Sequence, residues 1–363
     1  MMTAAFLLFN PKEEVTNSYL LIWSMLLWLG WTMINIPYYA WGAELSENYD
    51  ERTRITGWRQ VFAYAGNVTV LALPAMANEL TGFGGLPKEG LTIIGSLALI
   101  ALPSTVAICL LFIPERNNYG SSTASLTTNF KAVWKNGSFK LVWIAFMLKY
   151  MGAAWGSALF MLFAVHVVGE KENVAAILLG HYFLQLLTLP MWVKLSERIG
   201  KKETYIIGGI LFTLVIPLFL LIGNGDTWLL VFVLACVGAS GSYFTAISMS
   251  MKADVIDIAS NRARENVAGA YIAIWSLGQK MIGAIALGIC LPLLQYLGFD
   301  PQGGNGPREL QILSVMYVVP QAIMYVGAVG FIWRYPINAE RLTRLRNGFE
   351  RRRVRIGKQL SSA

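Results

Sequence analysis

Charge is scarce in this chain. Asp, Glu, Lys and Arg together supply 14% of its 363 residues, against about 25% in an ordinary soluble domain, and the mean hydropathy is +0.52. A water-exposed surface is thereby excluded for most of the chain, and the solvent around it is lipid. Cysteine is scarce too. Cys109, Cys236 and Cys290 all fall inside apolar runs, which excludes a disulfide scaffold or a clustered metal site and leaves them as packing residues. The two histidines, His166 and His181, lie in separate runs without a metal-ligand cluster around either, so they read as hydrogen-bonded membrane histidines. No HExxH, GxSxG, P-loop or paired intramembrane aspartate occurs, and this removes the usual chemistry of a membrane-embedded enzyme: no catalytic and no metal-ligating residue is assigned. The N-terminus lacks the basic start and small-residue cleavage site of a signal peptide.

What the chain does have is long apolar runs. Nine are long enough to cross a bilayer, since a span needs roughly 20 apolar residues: about 18–43, 57–78, 91–113, 141–167, 173–193, 204–222, 227–250, 266–294 and 310–333. Backbone in lipid must satisfy its own hydrogen bonds, so each run is read as a helix and the fold class is an all-α multi-span membrane protein. A shorter run, Ala4 to Phe9, is bounded by Asn10 and Pro11 and is too short to cross. It reads as a stub.

The basic residues then orient the chain. With the 44–56 connection placed in the cytoplasm, twenty-two of the 29 Lys and Arg residues fall on the inner side, including nine in the tail after 333. Four fall outside: Lys12, Lys88, Lys171 and Arg308. Shifting the register by one span reverses this asymmetry, so the positive-inside rule puts the C-terminus in the cytoplasm. Three cations remain within spans: Arg59, Lys149 and Lys280. An intramembrane charge is costly and usually faces a cavity or a partner. Arg59 lies near the inner end of its span, where its side chain can also snorkel to lipid phosphates. Lys280 lies too deep for that, and Lys149 shares a helical face with Gly152, Ala153 and Gly156, small residues that let a neighbouring helix approach.

Two long segments carry more specific information. Residues 31–59 read WTMINIPYYAWGAELSENYDERTRITGWR, and residues 251–280 read MKADVIDIASNRARENVAGAYIAIWSLGQK. In each, an apolar span runs into a charged inner loop, and one cation lies in the following span. The NIPYYAWGAEL helix end, the DERTR loop with Arg59 beyond it, the ADVID loop and Lys280 resemble the glycoside–pentoside–hexuronide cation symporters, the group of the melibiose and glucuronide permeases. LSERIGKK at 195–202 and WRYP at 333–336 fall where that family has them. The resemblance covers nearly the whole chain and implies a major facilitator fold that is N-terminally incomplete: nine full transmembrane helices plus a stub. On that reading 1–113 is an incomplete N-terminal bundle, 114–140 a cytoplasmic central loop, 141–333 a C-terminal six-helix bundle and 334–363 a basic cytoplasmic tail, which can also lie on anionic lipid.

The resemblance also implies a function: secondary active transport of a sugar or glycoside, with hexuronides in range, by alternating access in the plasma (inner) membrane. Coupling to Na⁺ or H⁺ is implied by the family alone. The family's coupling carboxylates lie largely on helices before the point where this chain begins, the position preceding Ile-Pro is Asn35, and no Asp or Glu lies in the middle of a span, Glu44 at a helix end being the nearest. The expected partners are the lipid bilayer and a small molecule, with no nucleic acid and no cofactor, and the expected state is a monomer.

A sugar site needs polar side chains beside aromatics. Asn35, Tyr38 and Tyr39 share a helical face, with Pro37 between them able to loosen the local ladder. Arg59 offers a forked donor to two hydroxyls or to a hexuronide carboxylate. Trp275, Ser276 and Lys280 form a second set, and Tyr243, Phe244 and Thr245 occupy the stretch before ADVID where the family places an aromatic near its substrate. Asn35, Tyr39, Arg59, Ser276 and Lys280 are expected to converge on one aqueous cavity. Two other readings stay open: a non-transporting or degenerate relative with a truncated start, and a carrier of a lysolipid-like amphiphile.

Overall fold

The computed structural model describes residues 1–11, 15–45, 55, 58–59, 61–70, 87–113, 133–171, 173–263 and 268–337. Among them every long element is a helix and no strand occurs. Eight helices are long and apolar enough to span a bilayer. The ninth expected span, 57–78, is represented by the short apolar helix Val61–Val70, and its remainder lies outside the described residues. The DERTR segment and the 114–132 connection lie outside them as well.

The chain divides into two compact units, Met1–Gly120 and Ser121–Ala363. In the first, the short helix α1 (Met2–Phe9) packs on both α2 (Asn17–Glu44) and α4 (Pro87–Phe112), with α3 (Val61–Val70) between them in sequence. Small residues permit the contact: a Cβ at Gly30 would meet Met1 at 2.7 Å, and one at Gly95 would collide with Phe9. Thr16 caps α2, accepting from the Tyr19 amide, and the Tyr19 hydroxyl donates to the Leu7 carbonyl at 2.8 Å.

Among the described residues the second unit holds six long helices. α5 (Gly137–Leu162) begins at the cap Asn136, whose side chain accepts from the Phe139 amide, and ends in a π-helical turn, Phe163–Val168, closed by the left-handed Gly169. Then come α6 (Val174–Ile199), α7 (Lys201–Val215, continuing as a 3-10 turn Ile216–Leu221), α8 (Thr227–Ala263), α9 (Ala268–Tyr296) and α10 (Pro307–Trp333). α5 lies along α10 and α9, α8 lies along α6 and α7, and α10 closes against α7.

Hydrogen bonds identify the two ends of this unit. At one end the Thr227 hydroxyl donates to Glu170 (3.0 Å) and the His166 ring stands edge-on to Phe299. At the other, Asn136 donates to the Tyr271 hydroxyl (3.2 Å) and Lys201 pairs with Asp254 (2.5 Å). The second end carries Lys135, Lys140, Lys194, Arg198, Lys201, Lys202, Lys252 and Arg334, whereas Lys171 and Arg308 belong to the first.

Two segments read as loops are helix. ADVID, 253–257, lies within α8, because no Gly or Pro interrupts the chain between Ser242 and Ala263 and the helix has no reason to stop. At 37 residues and about 1.5 Å per residue, α8 outruns a hydrocarbon layer of about 30 Å, so its charged last turns stand beyond the lipid core. LSERI likewise finishes α6, and the whole α6–α7 connection is Gly200, whose φ of +99° is a conformation that a side chain would oppose.

Candidate functional site

Lys149 is a buried charge of the second unit. It is 6% exposed, halfway along α5, and the sequence explains how it becomes enclosed. Gly152 and Gly156 follow it on one helical face, and α10 comes down on both: a Cβ at either position would strike Tyr325 or Gln321. This approach sets the Tyr325 ring over the ammonium, 4.2 Å from Nζ to ring centre. From α7, Phe212 lies closer still, at 3.4 Å, and from α8 the Tyr243 ring stands at 5.9 Å. The rings brace one another, Phe212 standing edge-on to Tyr325 at 4.9 Å. The Tyr325 hydroxyl donates to Gln321 Oε1 (3.3 Å), and Gln321 in turn donates to the Tyr317 carbonyl.

This is an aromatic box around a cation. The negative faces of the rings attract the ammonium by about 2 kcal/mol when it is desolvated, which is less than a carboxylate supplies. Lys201–Asp254 is the ion pair among the described residues, so the carboxylate buried with it, Asp254, is already engaged.

Next to the box lies a second aromatic cluster, centred on Phe146. Tyr205 stacks on it at 5.5 Å, and Phe244 and Trp275 meet it edge-on at 5.1 Å each. Tyr243 joins the two clusters through Tyr205, at 5.2 Å. The glycines again decide the approach: Gly208 lies directly beneath Tyr243 and Gly241 beneath Phe212.

Of the sequence-predicted residues, Tyr243, Phe244 and Trp275 are therefore brought into one cluster, and Tyr243 touches the box itself. Thr245 and Ser276 are half-buried on α8 and α9. Lys280 is exposed, on a different face of α9 from the buried Trp275, and does not enter the box. In the first unit Asn35 is half-buried and its amide donates back to the Trp31 carbonyl at 3.1 Å. Tyr38 is 42% exposed, Arg59 is half-buried, and the Tyr39 side chain lies outside the described residues. Phe212, Tyr325 and Gln321 escaped sequence reasoning, since each looks like routine packing in an apolar helix. The available signal was Lys149 with its two glycines.

Comparison with known proteins gives the family. The family model for MFS/sugar transport proteins matches residues 1–339. The inner membrane symporter YicJ of Escherichia coli (strain K12) is 22% identical over 323 residues, 85% of this chain and 67% of that protein. The glucuronide carrier protein homolog of the same strain is 20% identical over 356 residues, 92% of this chain and 76% of that one. The sodium-dependent lysophosphatidylcholine symporter 1-A of Danio rerio is 22% identical over 375 aligned residues, 91% of this chain and 69% of that one.

Proposed function

The chain belongs to the MFS/sugar transport protein family, and on that premise we propose that it is a secondary transporter of a sugar or glycoside, with hexuronides the class its cations suit. It works by alternating access in the plasma membrane, with the C-terminus in the cytoplasm. The observation that carries this reading is Lys149, a buried ammonium held by ring faces of α7 and α10 and by no carboxylate among the described residues. A hexuronide brings the anion that such a cation prefers, and Tyr243, Phe244 and Trp275 offer ring faces for the weakly apolar side of a sugar. Asn35, Tyr38, Tyr39, Arg59, Ser276 and Lys280 are kept as substrate contacts on the sequence argument.

Asp254, the buried carboxylate among the described residues, is engaged by Lys201, and we infer that substrate movement in this chain has no strong Na⁺ or H⁺ dependence. The lysophosphatidylcholine symporters among its relatives favour a second reading, carriage of a lysolipid-like amphiphile. The test is uptake into liposomes containing the 363-residue protein. A labelled glucuronide, its neutral glycoside and a labelled lysophospholipid are compared, each with and without imposed Na⁺ and proton gradients. Saturable glucuronide uptake, stronger than that of the neutral glycoside, is expected. Preference for the lysolipid replaces the sugar reading, ion-driven accumulation overturns the uncoupled one, and no saturable uptake at all leaves a non-transporting relative. Orientation is tested separately by cysteine labelling of intact cells at positions 131 and 303, where only the latter reacts.

A further inference from the structure

At the basic end of the second unit, where α5 starts and α10 stops, lies a cleft of about 670 Å³. It is lined by three cations, Lys135, Lys140 and Arg334, and by the half-buried Leu141 and Ile144. Among the described residues no carboxylate lines it and none of the three cations takes part in an ion pair. The backbone dictates this concentration of charge. After Trp333 the chain leaves the helix, Tyr335 and Ile337 turn inward to 2% and 8% exposure, and Arg334 is left facing out beside the first turn of α5.

Three like charges around one cleft repel one another unless a counter-charge sits among them. The level of the cleft indicates what does. Trp333, next in sequence to Arg334, is 64% exposed at the end of α10, and Trp134, next in sequence to Lys135, stands edge-on to Trp143 at 5.3 Å. Tryptophans in this position mark the headgroup level of a bilayer. Directly below, Leu141 and Ile144 lie one to two turns into α5, at the depth of an acyl chain. The cleft thus presents cations at phosphate height and hydrocarbon beneath them.

We propose that this cleft binds an anionic glycerophospholipid, its phosphate among Lys135, Lys140 and Arg334 and its upper acyl chain along Leu141 and Ile144. The bound lipid is the counter-ion that holds the inner ends of α5 and α10 together. Its binding is independent of what the protein transports.

The experiment uses the full-length protein in nanodiscs of phosphatidylcholine, into which phosphatidylglycerol is titrated, with occupancy read by native mass spectrometry of the released complex. Each cation near an anionic lipid contributes a factor of about five. Phosphatidylglycerol should therefore bind on the order of a hundredfold tighter than phosphatidylcholine, and the variant K135Q/K140Q/R334Q should lose most of that preference. A control variant, K194Q/R198Q/K202Q, removes the same charge from the same end away from the cleft and should keep it. Lys135 and Arg334 are exposed and Lys140 is half-buried, and an unchanged melting temperature in pure phosphatidylcholine shows that the fold is intact. Equal loss in both variants overturns the proposal in favour of a diffuse surface potential. Full displacement of phosphatidylglycerol by glycerol phosphate or inorganic phosphate overturns it in favour of a soluble phosphate ligand.

Discussion

In α2 no residue of the membrane span is buried and in α4 only 6% are, whereas half of the spans of α5 and α8 are buried. Polar side chains donate back to their own helix in both units, as Thr213 and Ser240 do in the second, but among the described residues most bonds that cross between helices belong to the second, with Tyr19 to Leu7 a crossing in the first. In the first unit Asn35, Thr69, Ser96 and Ser104 donate back to carbonyls four residues earlier in their own helices. In the second unit polar groups cross between helices: the Trp155 indole to the Met316 carbonyl at 2.7 Å, the Trp192 indole to Ala239 at 2.8 Å, His181 to Leu234 at 3.0 Å. A carbonyl can only accept, so His181 carries its proton on Nδ1. Lipid tails are as apolar as leucine, so apolarity alone does not drive helices together, and close packing and crossed hydrogen bonds hold them. The second unit is assembled by that means, and the helices of the first present Leu21, Met25, Trp28 and Met33 to apolar surroundings.

The sharpest way to break this contrast is one methyl group in each unit. At Gly238 an added Cβ would lie 2.5 Å from the His181 carbonyl oxygen, and a backbone atom of α6 cannot swing aside as a side chain can. Gly238→Ala is expected to cost about 1–3 kcal/mol by overpacking, lowering the melting temperature by about 2–4 °C for each kcal/mol. Gly66 in α3 has nothing within 4 Å of its would-be Cβ. Gly66→Ala should leave the melting temperature unchanged or raise it slightly, since alanine favours helix over glycine. Equal losses, measured by thermal unfolding in detergent, would mean that the two units are held alike.

The next effect sits at the end of α8. Lys201 keeps 26% side-chain exposure while Asp254 keeps 6%, so the partners do not suffer equally when separated. Lys201→Met removes the cation from a buried carboxylate beside Tyr335, whose phenol burial and the Asp254 charge already push above its ordinary pKa. Asp254→Asn leaves a lysine that can turn to water. Lys201→Met should therefore be the more destabilising, by about 1–2 kcal/mol. Equal effects would show that the pair is solvated.

Much of this architecture was readable from residue order. Run length marked the spans, because lipid sets a length that few soluble helices need. Lys149, Gly152 and Gly156 marked a close helix approach, and α10 makes it. The end of α8 was not readable: the charges of ADVID look like a loop, and only the uninterrupted helix-forming residues after Ser242 argue otherwise. The aromatic box was hidden for another reason. Phe212 and Tyr325 are 113 residues apart, and an aromatic that faces a cation is spelled like one that faces a leucine.

Lys149 sharpens the contrast by separating stability from activity. Lys149→Met keeps the shape and removes a charge buried without a carboxylate partner, an exchange that is commonly neutral or stabilising. The melting temperature should hold or rise by about 1 kcal/mol equivalent, while glucuronide uptake falls about tenfold or more. Retained uptake would return Lys149 to a packing role.

The smallest effect expected is at Asn35. Its amide already donates to the Trp31 carbonyl in the preceding turn, an acceptor that the helix satisfies without it, so Asn35→Ala removes a redundant bond and should change stability by less than about 0.5 kcal/mol. Thr188 in α6 is the counterpart in the second unit. Its hydroxyl lies 2.8 Å from the Ser242 hydroxyl and 3.2 Å from the Ala239 carbonyl, both on α8. Thr188→Val, nearly the same shape, leaves Ser242 a poorer set of partners across that interface, and interhelical hydrogen bonds in membranes are worth about 0.6 kcal/mol on average. Thermal unfolding of both variants should therefore rank Thr188→Val below Asn35→Ala. Uptake should rank them the other way, because the Asn35 oxygen is kept as a sugar contact and Thr188 is not. If Asn35→Ala costs more stability than Thr188→Val, the back-bonded amide is a helix contact in the membrane and its place in the sugar site falls with it.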